Sequence, residues 1–186
     1  TNINELEFIF NDATVKHVFV SGQEILDKVN IIKNKVPSLI NVYSFDSTPG
    51  VAYWKILLAD ITAADLEKLE TVKATVKANH CATIIYTSGT TGTPKGVMLS
   101  HRNIVTNVVN SKNSFPFADN IHGRALSFLP LNHIFERMVS YIYILSGYSI
   151  YYAESLAPIA ENLKQVNPKL FSTVPRLLEK TSEKIM

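Results

Sequence analysis

Ten consecutive residues, Thr87, Ser88, Gly89, Thr90, Thr91, Gly92, Thr93, Pro94, Lys95 and Gly96, combine three of the chain's seven glycines with five hydroxyl side chains and one ammonium. Each type has a use around a polyphosphate. Glycine brings backbone N–H groups close to an anion with no Cβ in the way. Serine and threonine hydroxyls donate to phosphate oxygens, or offer a lone pair to Mg²⁺. Pro94 fixes φ just before Lys95, whose ammonium is a mobile point charge for outer phosphates. The order Pro94, Lys95, Gly96 does not fit the G-x-x-x-x-G-K-[ST] loop, and no G-x-G-x-x-G occurs. A Thr/Gly-rich surface loop without a ligand is the plain alternative.

The charge distribution supports an anion site. Residues 1–82 are net −2, residues 83–135 net +3 with Asp119 as their one acid, and residues 136–186 net +1. The loop therefore lies in the carboxylate-poor third of the chain. The whole chain, 186 residues, 46% hydrophobic and 18% charged, is long enough for one domain with a real core. Its single cysteine, Cys81, excludes a disulfide scaffold and a Cys-based zinc site, and suits a reducing compartment. A net charge of +2 asks for neither nucleic acid nor an anionic membrane. The uncharged run at 138–153 is 16 residues, short of the roughly 20 that span a bilayer. It reads as a buried helix followed by a buried strand.

Apolar spacing places alternating elements around the loop. Ile3, Leu6 and Ile9 mark a helix ending near Asn11 and Asp12, and 15–20 reads as a strand. Ile25, Val29 and Ile32 mark a helix closed before Pro37; 39–45 reads as a strand and 46–50 as a turn. Leu66, Leu69 and Val72 give a polar-faced helix reaching about Val76. Residues 82–86 read as a buried strand, 87–96 as the loop and 97–99 as a brief apolar run. Ser100 is placed to cap a helix over 101–112. A strand at 125–129 stops at Pro130, and Asn132 is placed to cap the next helix. Residues 149–153 form a strand, Ile159, Leu163 and Val166 a helix, 170–174 a strand, and a helix starts at Pro175. This alternation predicts an α/β domain on a mostly parallel sheet flanked by helices. Such sheets bind ligands in loops after the carboxyl ends of strands.

Residues 86–96, YTSGTTGTPKG, closely resemble the phosphate-binding motif of the adenylate-forming superfamily: acyl-CoA synthetases, luciferases and nonribosomal peptide adenylation domains. The likeness runs on through 97–103. Residues 129–137, LPLNHIFER, resemble the LPLxHxFER element of the long-chain fatty acyl-CoA synthetases. Residues 174–180, VPRLLEK, are similar to that subfamily's VPRxxEK stretch, and 7–19 resemble its opening segment.

The resemblance implies a two-step ligase. A carboxylate attacks the α-phosphate of ATP, giving acyl-AMP and pyrophosphate, and the thiol of coenzyme A then displaces AMP. It implies that Thr87, Ser88, Gly89, Thr90, Thr91, Gly92, Thr93, Lys95 and Gly96 grip the phosphates, with Lys95 catalytic and Thr87 at a magnesium-ligand position. His133 falls at the position beside the acyl-adenylate; a helix-start histidine whose ring simply packs is the alternative from position alone. Glu136 and Arg137 are either an exposed first-turn pair, with Glu136 favoured by the helix dipole, or part of the acyl entrance. His17, His80, His101 and His122 are expected at surface or capping positions, Tyr141, Tyr143, Tyr148, Tyr151 and Tyr152 in the core, and Arg176 in a structural role.

The family's downstream aromatic–Gly–x–Thr–Glu element, ribose-binding aspartate, hinge and C-terminal domain with its catalytic lysine have no counterpart here. Residues 1–186 are therefore expected to be a fragment of the large AMP-binding N-terminal domain, inactive alone. ATP, Mg²⁺ and coenzyme A are the expected cofactor and co-substrates, a fatty acid the other substrate, and nucleic acid no partner. A cytoplasmic location is expected, with peripheral membrane contact and oligomeric state open. The alternatives are a ligase for another carboxylic acid, a non-catalytic nucleotide-binding scaffold, or an unrelated NTP-hydrolysing module.

Overall fold

Capping chemistry sets the first elements of the computed structural model, which describes residues 2–58, 60–87, 92–114, 123–153 and 159–175. Asn2 opens helix α1 (Ile3–Asp12): its Oδ1 accepts the Glu5 N–H at 2.8 Å, and Glu5 Oε2 accepts the Asn2 N–H at 3.3 Å. The chain divides into two compact units, Thr1–Leu99 and Ser100–Met186.

In the first unit, β1 (His17–Val20), α2 (Gln23–Ile32) and β2 (Asn41–Ser44) follow α1. β1 and β2 are parallel, from His17 opposite Asn41 to Val20 opposite Ser44. β3 (Ala52–Tyr53) lies parallel on the other side of β2 and runs into a 3₁₀ turn, Trp54–Leu57. Neither is marked by apolar spacing, since both are too short for a period to repeat. Phe10, Val20, Leu26, Val29, Ile32 and Val36 form the buried core. The three α2 members recur every third residue and so share one helical face.

Helix α3 (Ala63–Thr75) is held at its start by a Thr62–Asp65 capping box. Its apolar residues Leu66, Leu69 and Val72 are exposed. β4 (Cys81–Thr87) and β5 (Lys95–Ser100) are hydrogen-bonded neighbours in a two-stranded ladder. The strand expected to be buried at 82–86 is only half-buried, with Ile84 exposed, because a two-stranded ladder has few elements to cover it. Cys81 is a free, exposed thiol.

The second unit opens with α4 (His101–Ser114), where Ser100 Oγ accepts the Asn103 N–H at 3.2 Å and Asn103 Oδ1 accepts the Ser100 N–H at 2.9 Å. Ser100 is thus the predicted cap. Then come β6 (Arg124–Ser127), α5 (Ile134–Leu145), β7 (Ser149–Tyr152), α6 (Ile159–Val166) and β8 (Leu170–Phe171). β6 is central, parallel to β7 on one side and β8 on the other. Ala125, Tyr143 and Tyr148 form the buried cluster, with Val139, Ile150 and Leu170 against it. α5 closes at Gly147, whose φ of 75° lets Tyr148 N–H reach the Tyr143 carbonyl at 3.0 Å.

Several expectations are corrected. The turn closed by His133 N–H on the Pro130 carbonyl, at 3.0 Å, places Asn132 inside it, so His133 and not Asn132 precedes α5. β7 is not buried, and Tyr151 and Tyr152 are exposed; Tyr143 and Tyr148 are the core tyrosines, with Tyr141 half-buried. β8 covers two residues instead of the expected 170–174. The described strands pair in ladders of three, two and three, with both three-stranded ladders parallel and alternating with helices, the α/β architecture that was expected. The helix expected beyond Pro175, with Arg176, lies outside the described residues, as does His122. His17, His80 and His101 are exposed, as expected. Among the described residues no helix is long and apolar enough to cross a membrane.

Candidate functional site

The structure shortens the predicted loop. Thr87 is the last residue of β4, while Lys95 and Gly96 open β5, so the connection itself is 88–94. Ser88, Gly89, Thr90 and Thr91 lie outside the described residues. Two of the predicted functional side chains therefore sit on hydrogen-bonded strands, a firmer support than a loop. Thr87 and Lys95 are both exposed, and Lys95 makes no ion pair among the described residues. Gly92 has φ 82° and open space where a Cβ would stand. That left-handed backbone beside an unobstructed face suits N–H groups presented to an anion.

Strand packing explains Gly96. A Cβ there would stand 3.0 Å from Ile84 Cγ2 and 3.1 Å from Tyr86 Cζ. The Tyr86 hydroxyl in turn donates to Asp12 Oδ2 at 2.5 Å, tying β4 to the end of α1. Partial burial, then the bond to Asp12 and its negative charge, push the phenol up to about 12. No local pattern marks Tyr86 and Asp12 as partners; the sequence shows only an aromatic directly before Thr87 and an acid at a helix end.

Tyr86→Phe is expected to lower stability by about 1 kcal/mol at neutral pH, the worth of one exposed hydrogen bond to a carboxylate. The folded-state value lies above the ordinary 10.0, so the tie is complete below pH 10 and is lost as pH passes about 12. Urea unfolding of both proteins checks this: the gap narrows as pH rises above 10.

In the second unit His133 is exposed, in extended conformation, with no side-chain capping bond. Its ring does not pack into the core. Glu136 is the reverse: at 0% exposure it is fully buried, which overturns the exposed first-turn pair. Arg137 is half-buried, its Nε donating to the Tyr141 hydroxyl at 3.2 Å and its guanidinium 5.9 Å from that ring's centre. Burial, with the neighbouring Glu136 and Tyr148, pushes the Tyr143 phenol up to about 12 against a lowering bond from Ser172. Phe135, Met138, Val139 and Ile142 of α5, with Leu170 and Phe171 of β8, line much of a mostly apolar cavity of about 320 Å³.

The donor set at the β4–β5 connection fits a triphosphate: hydroxyls, backbone N–H groups and an ammonium, with no carboxylate within 87–96. No group of three His, Cys, Asp or Glu among the described residues could hold a metal. The Thr87 hydroxyl, exposed at the end of β4, has an oxygen of the kind that Mg²⁺ accepts as a ligand.

Residues 2–184 match the family described as AMP-binding enzyme. The chain is 30% identical over 189 residues to Long-chain-fatty-acid--CoA ligase ACSBG2 of Xenopus laevis, covering 96% of this chain and 26% of that protein. It is 32% identical over 181 residues to Long chain acyl-CoA synthetase 6, peroxisomal, of Arabidopsis thaliana, covering 92% and 25%. A natural red emitting luciferase from Phrixothrix hirtus shares the fold, with a TM-score of 0.73 at 23% identity over 95% of this chain and 35% of that one. The chain spans about a quarter of the length of these curated relatives.

Proposed function

The chain belongs to the AMP-binding enzyme family, and from that premise we propose that the whole protein activates a long-chain fatty acid with ATP and coenzyme A. A carboxylate oxygen bonds to the α-phosphorus, the bond to the β-phosphate oxygen breaks, and pyrophosphate leaves. The thiol of coenzyme A, losing its proton, then forms the thioester as AMP departs. Residues 1–186 are read as part of the AMP-binding domain, with 87–96 as its phosphate segment.

The observation that carries this reading is the Thr/Gly/Lys connection, poor in carboxylates and anchored by Thr87 and Lys95 on paired strands. Backbone N–H groups, the hydroxyls of Thr87, Ser88, Thr90, Thr91 and Thr93, and the Lys95 ammonium oppose the charge that builds on the departing pyrophosphate. Magnesium, when bound, neutralises phosphate charge. His133, exposed ahead of α5, is read as facing the acyl-adenylate. The names of the relatives above and the apolar cavity on α5 support a fatty acid as the carboxylate. The free thiol of Cys81 suits a cytoplasmic location.

The test is product identity in the full-length protein. Hexadecanoate, benzoate and an amino acid are compared for acid-dependent release of AMP and pyrophosphate. Hexadecanoate is expected to give the highest kcat/KM. Preference for benzoate or an amino acid assigns another acid, and release of ADP with orthophosphate overturns the ligase reading.

A further inference from the structure

Glu136 is a fully buried carboxyl group for which the proposed reaction has no use. Its Oε1 accepts the Ser127 hydroxyl and its Oε2 the Ser172 hydroxyl, each at 2.5 Å. Ser127 is the last residue of β6, and Ser172 directly follows β8. One side chain of α5 is thus tied to the carboxyl ends of two neighbouring parallel strands, the edge where open α/β sheets place ligands. No ion pair to Glu136 occurs among the described residues.

A buried carboxyl group stabilises a fold poorly compared with a well-packed apolar side chain of the same volume. What it supplies is direction. Two acceptors on one rigid plane fix the rotation and depth of the helix's first turn. That turn carries Phe135, which lines the apolar cavity, and Ser172 belongs to the wall of the same cavity. His133 immediately precedes the helix. Resting on the reading of the protein as an acid-activating ligase, we propose that Glu136 is a positioning residue: by clamping Ser127 and Ser172 it sets the first turn of α5, and with it the placement of Phe135 at the apolar cavity that takes the acid and of His133 just ahead of the helix.

Two variants of the full-length protein separate positioning from bulk stability. Glu136→Gln keeps the shape and offers one acceptor and one donor, which rotatable serine hydroxyls can match. Glu136→Met keeps the length and removes both acceptors. In acid-dependent pyrophosphate exchange, Glu136→Met is expected to raise KM for hexadecanoate at least about tenfold, the scale of a misplaced binding group, with KM for ATP nearly unchanged. Glu136→Gln restores most of the loss. Calorimetric titration with hexadecanoate, which needs no turnover, moves in the same direction. If Glu136→Met does not fold, Ser172→Ala takes its place with a smaller shift of the same kind.

The proposal is overturned if hexadecanoate affinity is unchanged, if both KM values rise together, or if Glu136→Gln is no better than Glu136→Met. Absence of acid-dependent exchange in the unsubstituted protein sinks the ligase reading instead, and the titration then decides the role of Glu136 by itself.

Discussion

Lys95→Ala is expected to lower kcat/KM for ATP in the full-length protein by roughly 10- to 200-fold, the equivalent of a lost charge-assisted hydrogen bond worth about 1.5–3 kcal/mol. The side chain is exposed at the first position of β5 and has no ion pair among the described residues. Its removal therefore strands no buried partner, and thermal stability should hardly change. In the proposed reaction the loss falls on the transition state for pyrophosphate departure, where negative charge builds on the outer oxygens, so kcat is expected to drop as well as affinity. Lys95→Arg keeps the charge but replaces a compact ammonium by a planar fork, and recovers only part of the rate. Initial rates of acid-dependent AMP formation over a range of ATP concentrations check both. An Ala variant with unchanged kcat/KM would remove Lys95 from the chemistry and with it the reading of residues 87–96.

Elements with strong local signals were legible in the sequence. α1 and α2 have apolar residues at helical spacing, and Ser100 has a partner for its capping bond three residues on in Asn103. The parallel pairings of β1 with β2 and of β6 with β7 follow from helices crossing between strands. That a connection follows β4 was legible, but its extent was not. Thr87, Lys95 and Gly96 are strand residues because β4 and β5 are hydrogen-bonded neighbours, a partnership that local composition does not encode. Glu136 was least legible. In sequence it is an acid in a helix's first turn, which ordinarily faces solvent beside the helix dipole. Its burial depends on Ser127 and Ser172, nine residues before it and thirty-six after it. Tyr86 meets Asp12 across 74 residues, and again no local pattern could announce the pair. What chain reading misses at this site is the polar contact between distant residues that fixes an element in place.

The same logic gives the largest stability effect, at Gly123. This residue is buried just ahead of β6, and its carbonyl accepts the Ser149 N–H at 2.8 Å. A Cβ here would stand 2.4 Å from Tyr148 Cε1 and 2.5 Å from Tyr148 Cδ1, deep inside van der Waals contact. The Tyr148 ring cannot easily withdraw, being buried 6.2 Å from the Tyr143 ring centre, with its own N–H bonded to the Tyr143 carbonyl. Gly96 offers a milder contrast, because its nearest atoms are at 3.0–3.2 Å and the Tyr86 ring is only half-buried. Gly123→Ala should therefore cost about 3 kcal/mol, at the upper end of the usual overpacking range. For a domain of this size that is a fall of roughly 6–12 °C in the midpoint of thermal unfolding. Tyr148→Val supplies the control that identifies the cause. It is destabilising by itself through lost packing, but adding Gly123→Ala to it should cost almost nothing further, since the ring that clashes is gone. Equal costs of Gly123→Ala in the two backgrounds would mean that the ring is not what excludes a side chain at position 123, and that the packing of Tyr148 beside β6 has been misread.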